Sequence, residues 1–377
     1  MRTHGCPRCV SATSGAKAGA ARVCSVTRSL QWLNVTYAEL PELSALEHVI
    51  ETGAGQLETR VVHQVDSGSG APLPVYAIAL GNPAPDVPAI GIFGGVHGLE
   101  RIGTTVAIAY LQYLVTRLQW DVTLHQQLET VRFVFMPLIN PGGMRLGTRA
   151  NPNGVDLMRN ASLDSSERVP MLVGGQRISA RLPWYRGASN AGMEAESRAL
   201  CDLVATDLLT RKFSLAVDCH SGFGISDRIW FPYAHTRTPF SHLAEIHALK
   251  DVFYRTHLHH PYIFEPQSSQ YLTHGDLWDF LHLRALETPE RIFLPLTLEM
   301  GSWRWIKKNP RQLLSRHGMF NPLIAHRQQR VLRRHLSLLD FLSRASCSHL
   351  RWLPQGEARA DHHARAMAHW YPSAPGA

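Results

Sequence analysis

The sequence predicts an α/β fold: a single domain with a mixed, largely parallel central sheet covered by helices on both faces. Two observations carry this. Short apolar runs alternate along the chain with long helical patterns, as they do when strands are joined by crossover helices. The chain has 377 residues, 45% of them hydrophobic and 18% charged. That is enough to bury a large core, and too apolar for a disordered chain or a coiled coil.

Taken in order, PELSALEHVIE (41–51) places Leu43, Leu46 and Ile50 on one helical face. LETRVVHQV (57–65) and PVYAIAL (74–80) read as strands around the loop DSGSGAP, hence a hairpin. AIGIF (89–93) is a buried strand, IGTTVAIAYLQYLV (102–115) a mostly apolar helix and VRFVFMPLI (131–139) another strand. MEAESRALCDLVATDLL (193–209) reads as a helix, and FSLAVDCH (213–220) and LPLTLEM (294–300) as strands. NPLIAHRQQRVLRRHLSLLDFL (321–342) is a long amphipathic helix. No internal repeat is visible. The expected organisation is a basic, disordered tail over 1–35, one folded domain over 36–345 and a polar, loose tail over 346–377.

The net charge is +8. Residues 1–35 carry Arg2, Arg8, Lys17, Arg22 and Arg28 and no acid, so little excess charge remains elsewhere and nucleic-acid binding is not expected. The tail is Arg-rich and acid-free, as transit peptides are; a targeting segment, a misplaced start and plain disorder all stay open. No stretch is apolar enough to span a bilayer and no secretory signal is visible. Cys6 and Cys9 have knuckle spacing without a second pair, and Cys24, Cys201, Cys219 and Cys347 are scattered, which fits a reducing cytoplasm.

In sheets of this kind, sites form beyond the carboxyl ends of the strands. His97, His220 and Glu299 each fall at or near such an end. GVHGLE puts His97 three residues before Glu100; if Glu100 opens the next helix, both lie on one side of a turn. His220 in VDCHSGFG would be a third ligand, leaving one position for water, which is the pattern of a catalytic zinc ion. Asp218 shares a strand face with His220 and could orient its ring. With 21 histidines in the chain, His97 as a surface or capping residue and His220 as a satisfied strand-end histidine remain open on this spacing alone.

The wider chain resembles the M14 family of zinc carboxypeptidases. Five blocks occur in that family's order: GGVHGLE, INPGGMRLGTRANPNGVDLMRN (139–160), WYRGASNAGMEAESRAL (184–200), VDCHSGFG and TLEMGSW (297–303). The resemblance spans roughly residues 40–340. It implies one zinc ion held by His97, Glu100 and His220, with Glu299 as general base. It also implies that Arg149 polarises the scissile carbonyl, that Arg159 grips a substrate carboxylate and that Asp156 orients the first histidine.

Three departures bear on substrate grip. Met158 stands where the family has Asn, Gly142 replaces the Asp of N-P-D-G, and HGDLWDFLH (274–282) resembles the region of the mobile tyrosine but holds none. Arg145, Arg177, Arg181 or Arg186 could supply other anionic contacts, or be solvated. The expected substrate is a peptide or acyl-amino acid with a free carboxylate. Three alternatives compete with the carboxypeptidase: an N-acyl amino acid deacylase like succinylglutamate desuccinylase and aspartoacylase, a non-catalytic binder of anionic peptides, and nucleic-acid binding through HRQQRVLRRH (326–335). The charges of that last stretch fit a solvated helix face. The histidines of HLHH (257–260) and HH (362–363) could hold metal adventitiously.

Overall fold

A computed structural model describes residues 40–66 and 71–372. The expectations for the basic N-terminal tail, including Cys6, Cys9 and Cys24, lie outside those residues.

The elements run α1 (Pro41–Thr52), β1 (Glu58–Val65), β2 (Leu73–Gly81), β3 (Ala89–Gly94), α2 (Arg101–Arg117), α3 (Val122–Leu128), β4 (Arg132–Met136) and α4 (Pro141–Leu146). They continue with α5 (Ala195–Asp207), β5 (Phe213–Ser221), β6 (Arg228–Phe231), α6 (Leu243–Thr256), β7 (Ile263–Pro266) and α7 (Leu277–Leu286). The last are β8 (Ile292–Met300), α8 (Trp303–Lys308), α9 (Ala325–Cys347), α10 (His349–Trp352) and α11 (Gly356–Trp370). Among the described residues the strands form one eight-stranded sheet, in the order β1-β2-β4-β3-β5-β8-β6-β7. Its centre is parallel: β3 pairs with β4 and β5, and β5 with β8. The edges mix directions, with β1–β2, β2–β4 and β6–β8 antiparallel.

Successive strand residues point to opposite faces, so the central strands feed two cores. Ile90, Ile92, Leu215, Val217, Leu294 and Leu296 join residues of α1, α2, α6 and α9 on one face. Ala89, Phe93, Ala216 and Phe293 meet Leu200 and Val204 of α5 and Leu277 and Leu281 of α7 on the other. Every residue of β3 and of β5 is buried. That is why both read as continuous apolar runs.

The departures from the sequence reading have local causes. β4 stops at Met136 because Pro137 has no N–H to extend the ladder. β6 and β7 are four residues each, too short for a period to show. The expectation of a loose segment beyond Ala345 gives way to α10 and α11. Ala366 is fully buried, and Trp370 Nε1 donates to the Phe264 carbonyl on β7 at 2.8 Å. On α9, Arg330 and Arg333 face solvent while Arg334 pairs with Asp227.

Candidate metal centre

β3 lies between β4 and β5, and the chain leaves it for β4 on one side and returns to β5 on the other. This is where strand order reverses, and crevices open at such points beyond the strand ends. The loop after β3 carries His97 and Glu100. It is pinned by Ile139 N to Gly94 O (3.1 Å), Asn140 N to Gly95 O (3.0 Å) and Asn140 Nδ2 to Val96 O (3.2 Å). Gly98 is needed here, because a Cβ at that position would sit 2.2 Å from the backbone of Gly143. Glu100 immediately precedes α2, and Asn321 holds that corner by accepting from Ile102 N and donating to Leu99 O.

His97 Nδ1 lies 3.0 Å from Glu100 Oε1, and His220 Nδ1 lies 3.2 Å from Glu100 Oε2. The two rings are 5.0 Å apart between centroids. One donor atom from each of His97, Glu100 and His220 falls within 4.8 Å of the others, and all three residues are buried. The far nitrogen of each imidazole meets a carboxylate: His97 Nε2 to Asp156 Oδ1 at 3.1 Å, and His220 Nε2 to Asp218 Oδ2 at 2.7 Å. Trp278 Nε1 also donates to Asp218, at 3.0 Å. Backing of this kind fixes a tautomer and leaves Nδ1 to face the shared point.

Glu299 is paired with His220 across the β5–β8 ladder, so both side chains share a face. Phe223 N–H donates to Glu299 Oε1 at 2.9 Å. Burial, and then the charge of Glu100, push the Glu299 carboxyl up to about 8. Burial alone would also raise Glu100, but His97 and His220 outweigh it and hold that carboxyl below its ordinary range. For Asp156 burial is outweighed by Arg149 and then His97. Burial would lower His220, yet Asp218 and Glu100 raise it well above the usual imidazole value. Arg149 reaches both carboxylates, Nε to Asp156 at 2.8 Å and Nη1 to Glu100 at 3.1 Å.

Arg159 is buried and its Nε has no hydrogen-bond partner. The other candidate arginines divide. Arg186 donates Nε to the Arg159 carbonyl at 3.0 Å and pairs with Asp164, and Arg177 donates to the Gly187 and Ala188 carbonyls. Both are thus spent on their own chain. Arg181 is exposed, and Arg145 lies half-buried in the last turn of α4.

A tyrosine that the sequence reading did not single out lies near this crevice. Tyr271, three residues before the block 274–282, lies within electrostatic reach of Arg159, Glu299 and Arg149. Burial, chiefly, raises its hydroxyl. Phe223 and Trp230 flank its ring, each with centroids 6.1 Å away. In the sequence this tyrosine stands just ahead of HGDLWDFLH, in QYLTHGD.

The zinc carboxypeptidase family model matches residues 48–281, more than half of the chain. The chain belongs to the zinc carboxypeptidase family. No curated protein matches it. Among solved structures it is similar to thrombin-activatable fibrinolysis inhibitor, at 16% identity, TM-score 0.60 and coverage of 86% of this chain and 81% of that one. The bovine form of that protein, in complex with tick carboxypeptidase inhibitor, gives 16% identity, TM-score 0.59 and coverage of 85% and 99%. Carboxypeptidase A from Helicoverpa armigera gives 17% identity, TM-score 0.50 and coverage of 73% and 69%. At such identities these likenesses establish a carboxypeptidase-like fold. Within that family fold, no helix among the described residues is long and apolar enough to cross a membrane.

Proposed function

We propose that this zinc carboxypeptidase family member is an active zinc-dependent amide hydrolase that releases the C-terminal residue of a peptide. The observation that carries this is the convergence of His97, Glu100 and His220 on one point, with Glu299 beside them on the next strand. The donor set fits zinc: two imidazole nitrogens and a carboxylate oxygen, each imidazole backed by a carboxylate. Bound there, a single zinc ion would supply Lewis acidity and lower the pKa of a water molecule to about 7.

The chain's own residues do the rest. Glu299 takes the proton of the attacking water and passes it to the leaving nitrogen, with Phe223 N–H fixing the orientation of its carboxylate. The charge of a divalent cation would offset that of Glu100 and keep Glu299 ionised as a base. Arg149 faces the oxygen on which charge develops, a contribution of about 3 kcal/mol for one such donor. Arg159 presents a buried N–H that lacks a partner, which an incoming carboxylate would satisfy. Met158 brings no amide to that grip, so Tyr271 is the second donor. On this reading residues 36–345 form the catalytic unit.

The test is metal content together with turnover on peptides and on N-acyl amino acids. Glu299→Gln should keep the metal and lose hydrolysis by about 10²–10⁴-fold. Unchanged turnover would remove the base assignment. His220→Ala should lose the metal, and a full equivalent of zinc in that variant would refute the ligand set. Cleavage confined to small acylated amino acids would move the protein to the deacylase reading.

A further inference from the structure

We infer that His247, Asp251 and His362 form a second metal site, a brace that ties the C-terminal helix α11 to α6 through a zinc ion. The site is separate from the crevice described above and does not depend on the function proposed for it.

His247 and Asp251 stand one turn apart on α6, spaced i, i+4 on one face. His362 reaches them from α11, which packs alongside. His247 Nδ1 and His362 Nδ1 are 2.8 Å apart, and His247 Nδ1 is 4.0 Å from Asp251 Oδ2. One donor atom from each residue falls within 4.8 Å of the other two. Around a tetrahedral ion with bonds of about 2.0–2.1 Å, ligand atoms sit roughly 3.3 Å apart. The two separations from His247 straddle that value, so modest ring and carboxylate rotations would bring the three donors around one ion. Two imidazoles and one carboxylate suit zinc or its neighbours in the first row.

His247 is buried, whereas Asp251 and His362 are half-buried. The ion would therefore have a wall on one side and water as a fourth ligand on the other. Charges facing the site are mixed. Arg365 donates to Asp251 Oδ2 at 2.9 Å, Arg255 lies 3.7 Å from the same oxygen, and Lys250 packs over Tyr254 and Trp370. Arg365 has a second acid, Asp361, at 3.5 Å, to which it can turn when Asp251 binds metal. The brace would extend to the sheet, because Trp370 at the end of α11 already bonds β7.

The experiment is zinc binding to the full chain by equilibrium dialysis after chelator treatment, with thermal melting alongside. Wild type should hold two ions per chain, and His362→Ala and His220→Ala one each. Asp251→Asn, nearly isosteric, should also drop one. Zinc should raise the melting temperature of His220→Ala, where only the brace remains, and leave the double variant His220→Ala/His362→Ala unmoved. One ion in wild type that is insensitive to His362→Ala would overturn the brace, as would a second ion lost on dialysis. One ion that depends on His362 but not on His220 would support the brace and defeat the catalytic-metal reading instead.

Discussion

Gly103→Ala tests how the metal centre is assembled. Gly103 lies in the first turn of α2, where the helix crosses β5. A Cβ there would stand 2.1 Å from the carbonyl oxygen of Cys219. Relieving that contact requires α2 to move off the strand by roughly 1 Å or more. Helix propensity works the other way, since alanine is favoured over glycine by about 1 kcal/mol within a helix. Overpacking against backbone typically costs about 1–3 kcal/mol. A carbonyl of a fully buried strand cannot swing aside as a flexible side chain would, so overpacking should win, by up to about 2 kcal/mol.

The larger effect should fall on the metal. Glu100 lies three residues before Gly103, and His220 directly follows Cys219. The shift therefore acts on the contact between Glu100 Oε2 and His220 Nδ1, now 3.2 Å, and on the Ser221 N–H bond to Glu100 at 2.9 Å. Coordination distances tolerate only about 0.2 Å. Zinc affinity should fall tenfold or more, at a modest cost in melting temperature. Competition with a chromogenic chelator measures the first and circular dichroism the second. Gly192→Ala is the control, because its nearest contact is the end of Arg198 at 3.5 Å. Wild-type affinity with an unchanged or raised melting temperature in Gly103→Ala would refute the reasoning.

Other expectations concern neighbouring groups. Burial, and then Asp279, push Asp276 up to about 7, while its carboxylate caps α7 by accepting from Trp278 N and Asp279 N at 3.0 Å. The folded state thus keeps that proton to higher pH than the unfolded chain, and the protein should lose stability as pH rises from about 4 to 7. Asp276→Asn retains a capping oxygen and cannot ionise. It should gain on the order of a few kcal/mol over wild type at pH 8 relative to pH 5, read from urea midpoints; an equal difference at both pH values would contradict this. Tyr271→Phe should raise KM for peptides about tenfold with metal content unchanged, since it removes the hydroxyl proposed to donate to the substrate carboxylate. An unchanged KM would take Tyr271 out of substrate grip.

Much of the molecule was legible before any coordinates. The strands β3, β5 and β8 announce themselves because both their faces are buried, which leaves no polar alternation to blur the run. Spacing and position made His97, Glu100, His220 and Glu299 candidates, and the ordered blocks shared with the zinc carboxypeptidases gave them their expected roles. Short elements such as β6, β7 and α3 were not legible, since four to seven residues carry too little period. The C-terminal helix was missed for a different reason. Its mean character is polar, and only Ala366 is deeply buried, so its order comes from packing on α6 and not from its own sequence.

Sequence alone determined which chemical groups are present and which strands end near one another, because burial and chain direction are written in local pattern. Only the tertiary structure decided which partners those groups meet. Tyr271 beside Arg159 and His362 against His247 bring together residues up to 115 positions apart. Such contacts are set by how helices seat on the sheet, which no window of sequence encodes.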